Sequence, residues 1–463
     1  MSLLTAGEIA ARCAGTVEGD ADAVAGAWAF DSRALDSGAC FVALRDQRDG
    51  HDFVPAAFEA GASVAIIDRA LAPSFHLPPG RALVRVADTL LALQRVARAC
   101  RVERPDLRVV AVGGSTGKTS TKDLLAAVLA PLGCYANAES YNNEFGLPLT
   151  ICNTPESATV LVSEMGERLP GDLELLASIA QPQTAVITNV GLAHAEHLGG
   201  PQGVVRVLGE LLSALPRDGV AICNADDPAT AALAQSTEAA VVTVGATEHA
   251  TYRVEDIEVD QRLRASFSLG GERFQVPLHG AHHAMNAAMA VATAYHVFDM
   301  PFVEAATELG NATASHWRME LLETEDGVTI LNDTYNANPT SMDAALLALA
   351  HLPVGGRRIA VLGEMRELGE HAAAAHRAVG ARAEQLGIDA LVVVGDAGAL
   401  IADAAPSIPA RRVVDADAAL AALAPDVRPG DAVLCKASRA VGLEAVADGL
   451  LARHRATTRG AAS

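Results

Sequence analysis

Short runs of aliphatic and β-branched residues alternate along the whole chain with longer stretches whose apolar positions recur every three or four residues. The first pattern marks buried strands and the second marks helices lying against a sheet. Near the beginning, strands are predicted at Ala25–Phe30, Ala39–Leu44, Ser63–Asp68 and Ala82–Val86, with a helix from Phe53 to Ala60 stopped by Gly61. Further on, strands near 108–113, 159–163, 184–189 and 219–223 are separated by helical stretches, the signature of a parallel sheet covered on both faces. The pattern becomes hairpin-like over 251–278, with breaks at Asp260-Gln261 and Gly270-Gly271, and a helix follows from 281 to 298. Strands at 328–333, 357–362, 390–394, 411–414 and 431–435 then alternate with alanine-rich helices, a second doubly wound unit. The expectation is an α/β protein of three domains, 1–104, 105–316 and 317–463. The polar Arg101–Leu107 stretch is the first linker, and a second boundary lies near 311–317.

Length agrees with that division, since 463 residues exceed what one hydrophobic core organises. No apolar run is long enough to span a membrane, and Met1–Glu8 lacks a basic segment followed by an apolar one, so a cytoplasmic protein is expected. The seven cysteines are scattered without a C-x-x-C pair and read as buried apolar residues of a reducing compartment. A net charge of −21 argues against a nucleic-acid surface. Of 35 basic residues only Lys118, Lys122 and Lys436 are lysines, so each lysine position invites a specific reason.

One of the three, Lys118, belongs to the most informative stretch, Arg108 to Ser120. A β-branched strand runs into Gly113, Gly114, Ser115, Thr116 and Gly117, then Lys118, Thr119 and Ser120, and a helical pattern follows with Leu124, Leu125 and Val128. Strand, glycine-rich turn and helix N-terminus form a phosphate cradle whose backbone N–H groups close on phosphate oxygens. Lys118 would reach the terminal phosphates of ATP, and the Thr119 hydroxyl would ligate Mg²⁺. Glu164, ending the next predicted strand, can meet the same metal. His194 follows a further strand end and is a candidate second metal ligand. His282 and Asn286 share a helix face and could serve a base or a substrate. Asn332–Ser341 packs Asp333, suited to ribose hydroxyls, with Asn336 and Asn338, suited to an amide or carboxylate. Lys436 and Arg439 end another strand and offer cations to a carboxylate. Ser32 and Arg33 could hold a diphosphate, although Asp31-Ser-Arg33 and Asp49–Phe53 are also ordinary turn compositions.

With those motifs together the chain resembles the Mur ligase family nearly end to end. Asn142–Thr150, Asp333–Ser341 and Leu362–Gly369 carry the resemblance alongside the cradle, and Lys436-Ala-Ser-Arg439 is similar to a Lys-Gly-Ser-Arg signature. The resemblance implies a UDP-substrate domain, an ATP-binding central domain and a Rossmann-like ligase domain. It implies that ATP and Mg²⁺ convert a UDP-N-acetylmuramoyl-peptide carboxylate to an acyl phosphate, which the amine of D-alanyl-D-alanine captures in peptidoglycan synthesis. A monomer is expected. By resemblance Lys118, Glu164 and His194 are catalytic, with Thr119, Glu164 and His194 on metal. Gly114 to Ser120, Asn286, Arg318 and Asp333 hold the nucleotide. Ser32, Arg33, Asn142, Asn143, Asn336, Asn338, Lys436 and Arg439 face substrates.

Two positions depart from the family pattern. Leu208 precedes Gly209-Glu210 where many members have a lysine, carbamylated in use, and Arg206 is the nearest cation. Trp317 precedes Arg318 where a Gly-Arg pair is usual. A ligase for a different amine, and a nucleotide-binding scaffold without ligation, therefore stand beside the first reading.

Overall fold

The computed structural model describes residues 3–137, 141–191 and 195–460. Three α/β units follow one another. The first is a five-stranded sheet in the order 16–19, 82–85, 64–67, 39–42, 27–29, parallel except for its first pair. The second is a seven-stranded, wholly parallel sheet in the order 252–253, 240–245, 220–224, 184–187, 108–113, 160–164, 134–136. A three-stranded antiparallel sheet over Glu255–His279 is attached to it. The third is a six-stranded sheet in the order 320–323, 329–332, 432–436, 358–362, 390–394, 410–413, antiparallel only at the first pair.

The central strands show why uninterrupted apolar runs were needed. Val109, Ala111, Leu161 and Ile187 face one buried cluster, while Val110, Val112, Val162 and Val186 face another. Side chains alternate across a strand, so a sheet covered on both faces requires apolar residues at every position. The first cluster continues through Leu93, Val96 and Cys100 into the N-terminal sheet, so the first two units share a core.

That junction revises the expected linker. The Thr89–Val102 helix runs into it, and Arg101 is buried, its Nε donating to Ala180 O at 2.9 Å and its Nη1 to Arg104 O at 2.7 Å. Arg104 in turn donates to Ala158 O at 2.6 Å and Thr154 O at 3.2 Å. The polar composition reflects two guanidinium groups bonded to helix-end and loop carbonyls of the central unit, not a solvated tether. Strand Ala240–Gly245 inside the central sheet was not anticipated, and other differences lie at sheet edges. Thr16–Gly19 and Glu320–Glu323 pair antiparallel, the first mostly exposed and the second half-buried, so neither carries the continuous apolar run of a strand covered on both faces.

Removing Arg101 would strand buried carbonyls at this junction. Arg101→Ala is expected to lower stability by about 2 kcal/mol, read as a lower urea midpoint for the transition that includes the first two units.

Candidate functional site

The cradle strand Arg108–Gly113 ends level with its neighbours: Val112 is in register with Glu164, and Gly113 with Ile187. The Lys118–Val128 helix starts immediately beyond, so the loop between sits at the carboxyl edge of the sheet, where open α/β sheets bind ligands. Gly114 has φ +128°, and a Cβ there would stand 2.2 Å from Thr188 Oγ1; Gly117 has φ +79°, and its Cβ would stand 2.8 Å from Asn286 Oδ1. Both turns therefore require glycine. The loop between them is held from the next strand end. Ser115 Oγ accepts from Gly191 N at 2.7 Å, and Thr116 N donates to Asn189 Oδ1 at 3.0 Å.

Thr119, one residue into the helix, is nearly fully buried. Its hydroxyl donates to Glu164 Oε2 at 2.7 Å and accepts from Arg318 Nη2 at 2.7 Å. Asn142 Nδ2 holds the other oxygen of Glu164 at 2.6 Å. Lys118 Nζ reaches Gly114 O and lies 3.4 Å from Glu167 Oε2. Burial raises the pKa of the Glu167 carboxyl, with Lys118 opposing the shift. These groups open on a cleft of about 850 Å³ between the central and third units, whose far wall includes Asp333, Asn336, Asn338, Lys436 and Arg439.

That far wall has its own scaffold. Lys436 is buried, and its Nζ donates to Asp333 Oδ2 at 2.5 Å and to Asn336 O at 2.8 Å. Burial lowers the ammonium pKa, and Asp333 counters that shift. Lys436 thus braces the asparagine loop while remaining part of the cleft lining. Arg439 stays half-exposed, ion-paired to Glu444 Oε1 at 2.6 Å, with its guanidinium 4.2 Å from the Trp317 ring centroid. Asn286 lies against Gly117 on the first turns of the His283–Phe298 helix. Beside it, burial drives the His283 pKa well below the usual imidazole value.

Several expected residues prove to have structural duties. Asn338 caps the Pro339–His351 helix, accepting from Ser341 N at 2.9 Å, and Asn143 accepts from Gly146 N at 2.9 Å at the start of another helix. Both still line the cleft, as does Ser120. Ser32 and Arg33 are not part of that cleft. They occupy a short turn of the N-terminal unit, with Arg33 exposed and clamped on Asp31, whose pKa it holds at about 2. His194 lies outside the described residues. Leu208 is fully buried among Val204, Val207 and Leu211, and Arg206 is exposed away from the cleft, so Arg206 does not stand in for a lysine there. Among the described residues no three His, Cys, Asp or Glu side chains cluster as a metal site. Glu167 went unnoticed in the sequence because it follows the strand end by three residues in a loop without a motif.

A phosphate cradle at the carboxyl edge of a parallel sheet, faced across a cleft by another α/β unit, defines a P-loop nucleotide-binding protein with its site at a domain junction. Residues 112–294 match the Mur ligase middle domain and residues 317–439 match the Mur ligase glutamate ligase domain. The chain belongs to the Mur ligase family. It is 39% identical to the UDP-N-acetylmuramoyl-tripeptide–D-alanyl-D-alanine ligase of Mycobacterium tuberculosis, over 93% of this chain and 92% of that one. It is 35% identical to the ligase of the same name from Bacillus subtilis, over 91% and 92%. Among solved structures, MurF from Acinetobacter baumannii superposes with a TM-score of 0.85 at 27% identity, covering 98% of this chain and 99% of that one. MurF ligase from Thermotoga maritima, solved in complex with ADP, superposes with a TM-score of 0.76 at 28% identity, over 93% and 98%.

Two substitutions test the geometry. Gly117→Ala should weaken ADP binding by on the order of tenfold or more, measured by calorimetric titration of folded protein. Leu208→Lys should yield no gain in turnover, with or without bicarbonate. It should lower stability by about 3 kcal/mol, because an ammonium is placed in an apolar cluster, read by chemical denaturation.

Proposed function

We propose that this chain joins D-alanyl-D-alanine to the tripeptide of a UDP-N-acetylmuramoyl-tripeptide, consuming ATP and releasing ADP and phosphate, as a step of peptidoglycan precursor synthesis. The observation that carries the reading is the Arg318 guanidinium of the third unit on the Thr119 hydroxyl of the cradle. It supports the reading, because nucleotide held in the cradle would then meet groups from both sides of the cleft, next to a wall where an amine substrate could enter.

The chemistry follows from what the residues present. A peptide carboxylate attacks the γ-phosphorus of ATP, the bond to the β-phosphate oxygen breaks, and ADP leaves. The amine then attacks the acyl phosphate carbon, loses a proton and expels phosphate. The first step brings two anions together, so its barrier is dominated by charge repulsion. Lys118 supplies positive charge beside the γ-phosphate, and the cradle amides of Gly114 to Ser120 hold the phosphate chain. Thr119 and Glu164 present hard oxygens 2.7 Å apart, a donor set that suits Mg²⁺. Bound there, the metal would supply further charge neutralisation. Asn142 keeps the Glu164 carboxylate turned towards Thr119. Arg318, its guanidinium 3.9 Å from the Tyr335 ring centroid, adds a cation from the opposite wall, and Asp333, braced by Lys436, is assigned to the ribose. The uridine diphosphate end is assigned to the N-terminal unit, where a diphosphate would share Arg33 with Asp31.

Phosphate release should require ATP, UDP-N-acetylmuramoyl-tripeptide and D-alanyl-D-alanine together. Release with other amines in place of the dipeptide, or with no acceptor, would overturn the assignment. Lys118→Ala should cut turnover by about three orders of magnitude or more, measured by the same assay.

A further inference from the structure

Trp317 adopts φ +61°, a left-handed backbone that a bulky side chain rarely takes, and Met319 does the same at φ +50°. Glycine would hold this turn without strain, so the indole is retained at a cost. Its ring lies beneath the Arg439 guanidinium, 4.2 Å from centroid to carbon. Arg439 lines the cleft on the wall that carries Asn336 and Asn338, and its Nη1 pairs with Glu444 at 2.6 Å. The Trp317 carbonyl also accepts from Tyr335 N at 3.2 Å, and Tyr335 stacks with Arg318. One short segment therefore sets two stacked guanidinium groups, one at the cradle and one away from it.

We propose that Trp317 is a positioning residue that fixes Arg439 as the seat for the carboxylate of the incoming amine substrate. A guanidinium carries five donors in a planar fork. Glu444 takes one edge and the indole covers one face, which leaves the fork oriented to receive a second carboxylate in bidentate fashion. Without the ring, Arg439 would follow Glu444 and sample many rotamers, so the carboxylate would pay to order it at each binding event. The proposal rests on the ligase reading above, in which Arg439 faces the amine substrate, and adds the residue that holds that guanidinium in place.

The test compares Trp317→Gly, which relaxes the backbone and removes the ring, with Trp317→Phe, which keeps a ring. Trp317→Gly should raise the KM for D-alanyl-D-alanine about five- to tenfold, with the KM for ATP moving by less than about twofold. Trp317→Phe should recover most of the loss. Wild-type protein should prefer the free dipeptide to its C-terminal amide, and Trp317→Gly should compress that preference. Equal rises in both KM values, no recovery by phenylalanine, or an uncompressed preference would overturn the proposal. The chain has two tryptophans, so Trp28→Phe leaves Trp317 as the single indole for a turnover-independent titration with dipeptide or amide. A carboxylate-dependent fluorescence change without ligation would fault the ligase reading and uphold the seat. Ligation without such a change would do the reverse.

Discussion

The Thr119 hydroxyl is where the three parts of the catalytic cleft are tied together. It sits on the first turn of the cradle helix, gives its proton to the end of the neighbouring strand at Glu164 and accepts from Arg318 of the third unit. One turn further along the same helix, Asp123 accepts from Ser315 N at 3.0 Å and Ser315 Oγ at 2.6 Å. Residues four apart share a helix face. The segment entering the third unit therefore runs beside the cradle helix and is bonded to it at two successive turns. The approach of the far wall is keyed to the element that holds phosphate.

Charge is distributed with the same economy. The chain carries a net −21, yet all three of its lysines lie around this cleft or on the helix that borders it, Lys122 and Lys436 buried and Lys118 partly so. Lys122 donates to Asn137 O at 2.8 Å and pairs with Asp123 at 2.9 Å, so it fixes the helix that Ser315 contacts. Lys436 pairs with Asp333 inside the third unit. A buried ion pair costs desolvation and contributes little net stability, and what it secures here is one geometry of the Asp333–Asn338 loop. Lys118, Arg168, Arg318, Arg366 and Arg439 line the cleft, so an acidic molecule presents its cations where phosphates and carboxylates must meet.

Much of this was legible in the sequence, for physical reasons that differ between elements. The Arg108–Gly113 strand was readable to the residue because a strand covered on both faces must be continuously apolar, and the Gly-x-x-Gly-Lys-Thr turn has few other uses. The edge strands Thr16–Gly19 and Glu320–Glu323 were not, since a half-exposed edge imposes no such pattern. Asn143 and Asn338 illustrate a different limit. The residue types that cap helices are those that contact ligands, and composition alone cannot divide the two duties. Lys436 was read as a cation for a substrate carboxylate because it ends a strand together with Arg439 and a hydroxyl. Only the burial of Asp333 beside it reveals an internal brace.

The two departures from the family pattern resolve in opposite ways. At Leu208 the side chain has joined the apolar cluster beneath the sheet, between Val204 and Leu211, and Gly113 lies close enough that its Cβ would touch Leu208 Cδ2 at 3.8 Å. Packing has absorbed the position. At Trp317 the backbone takes a left-handed turn, and the next residue, Arg318, reaches Thr119. A large ring can be tolerated there because its strain is offset by contact with a guanidinium that also needs a fixed orientation. A lost side chain whose space is filled by core leaves the chemistry to other residues. A ring that stacks on a guanidinium lining the cleft bears instead on the orientation of a group that remains there.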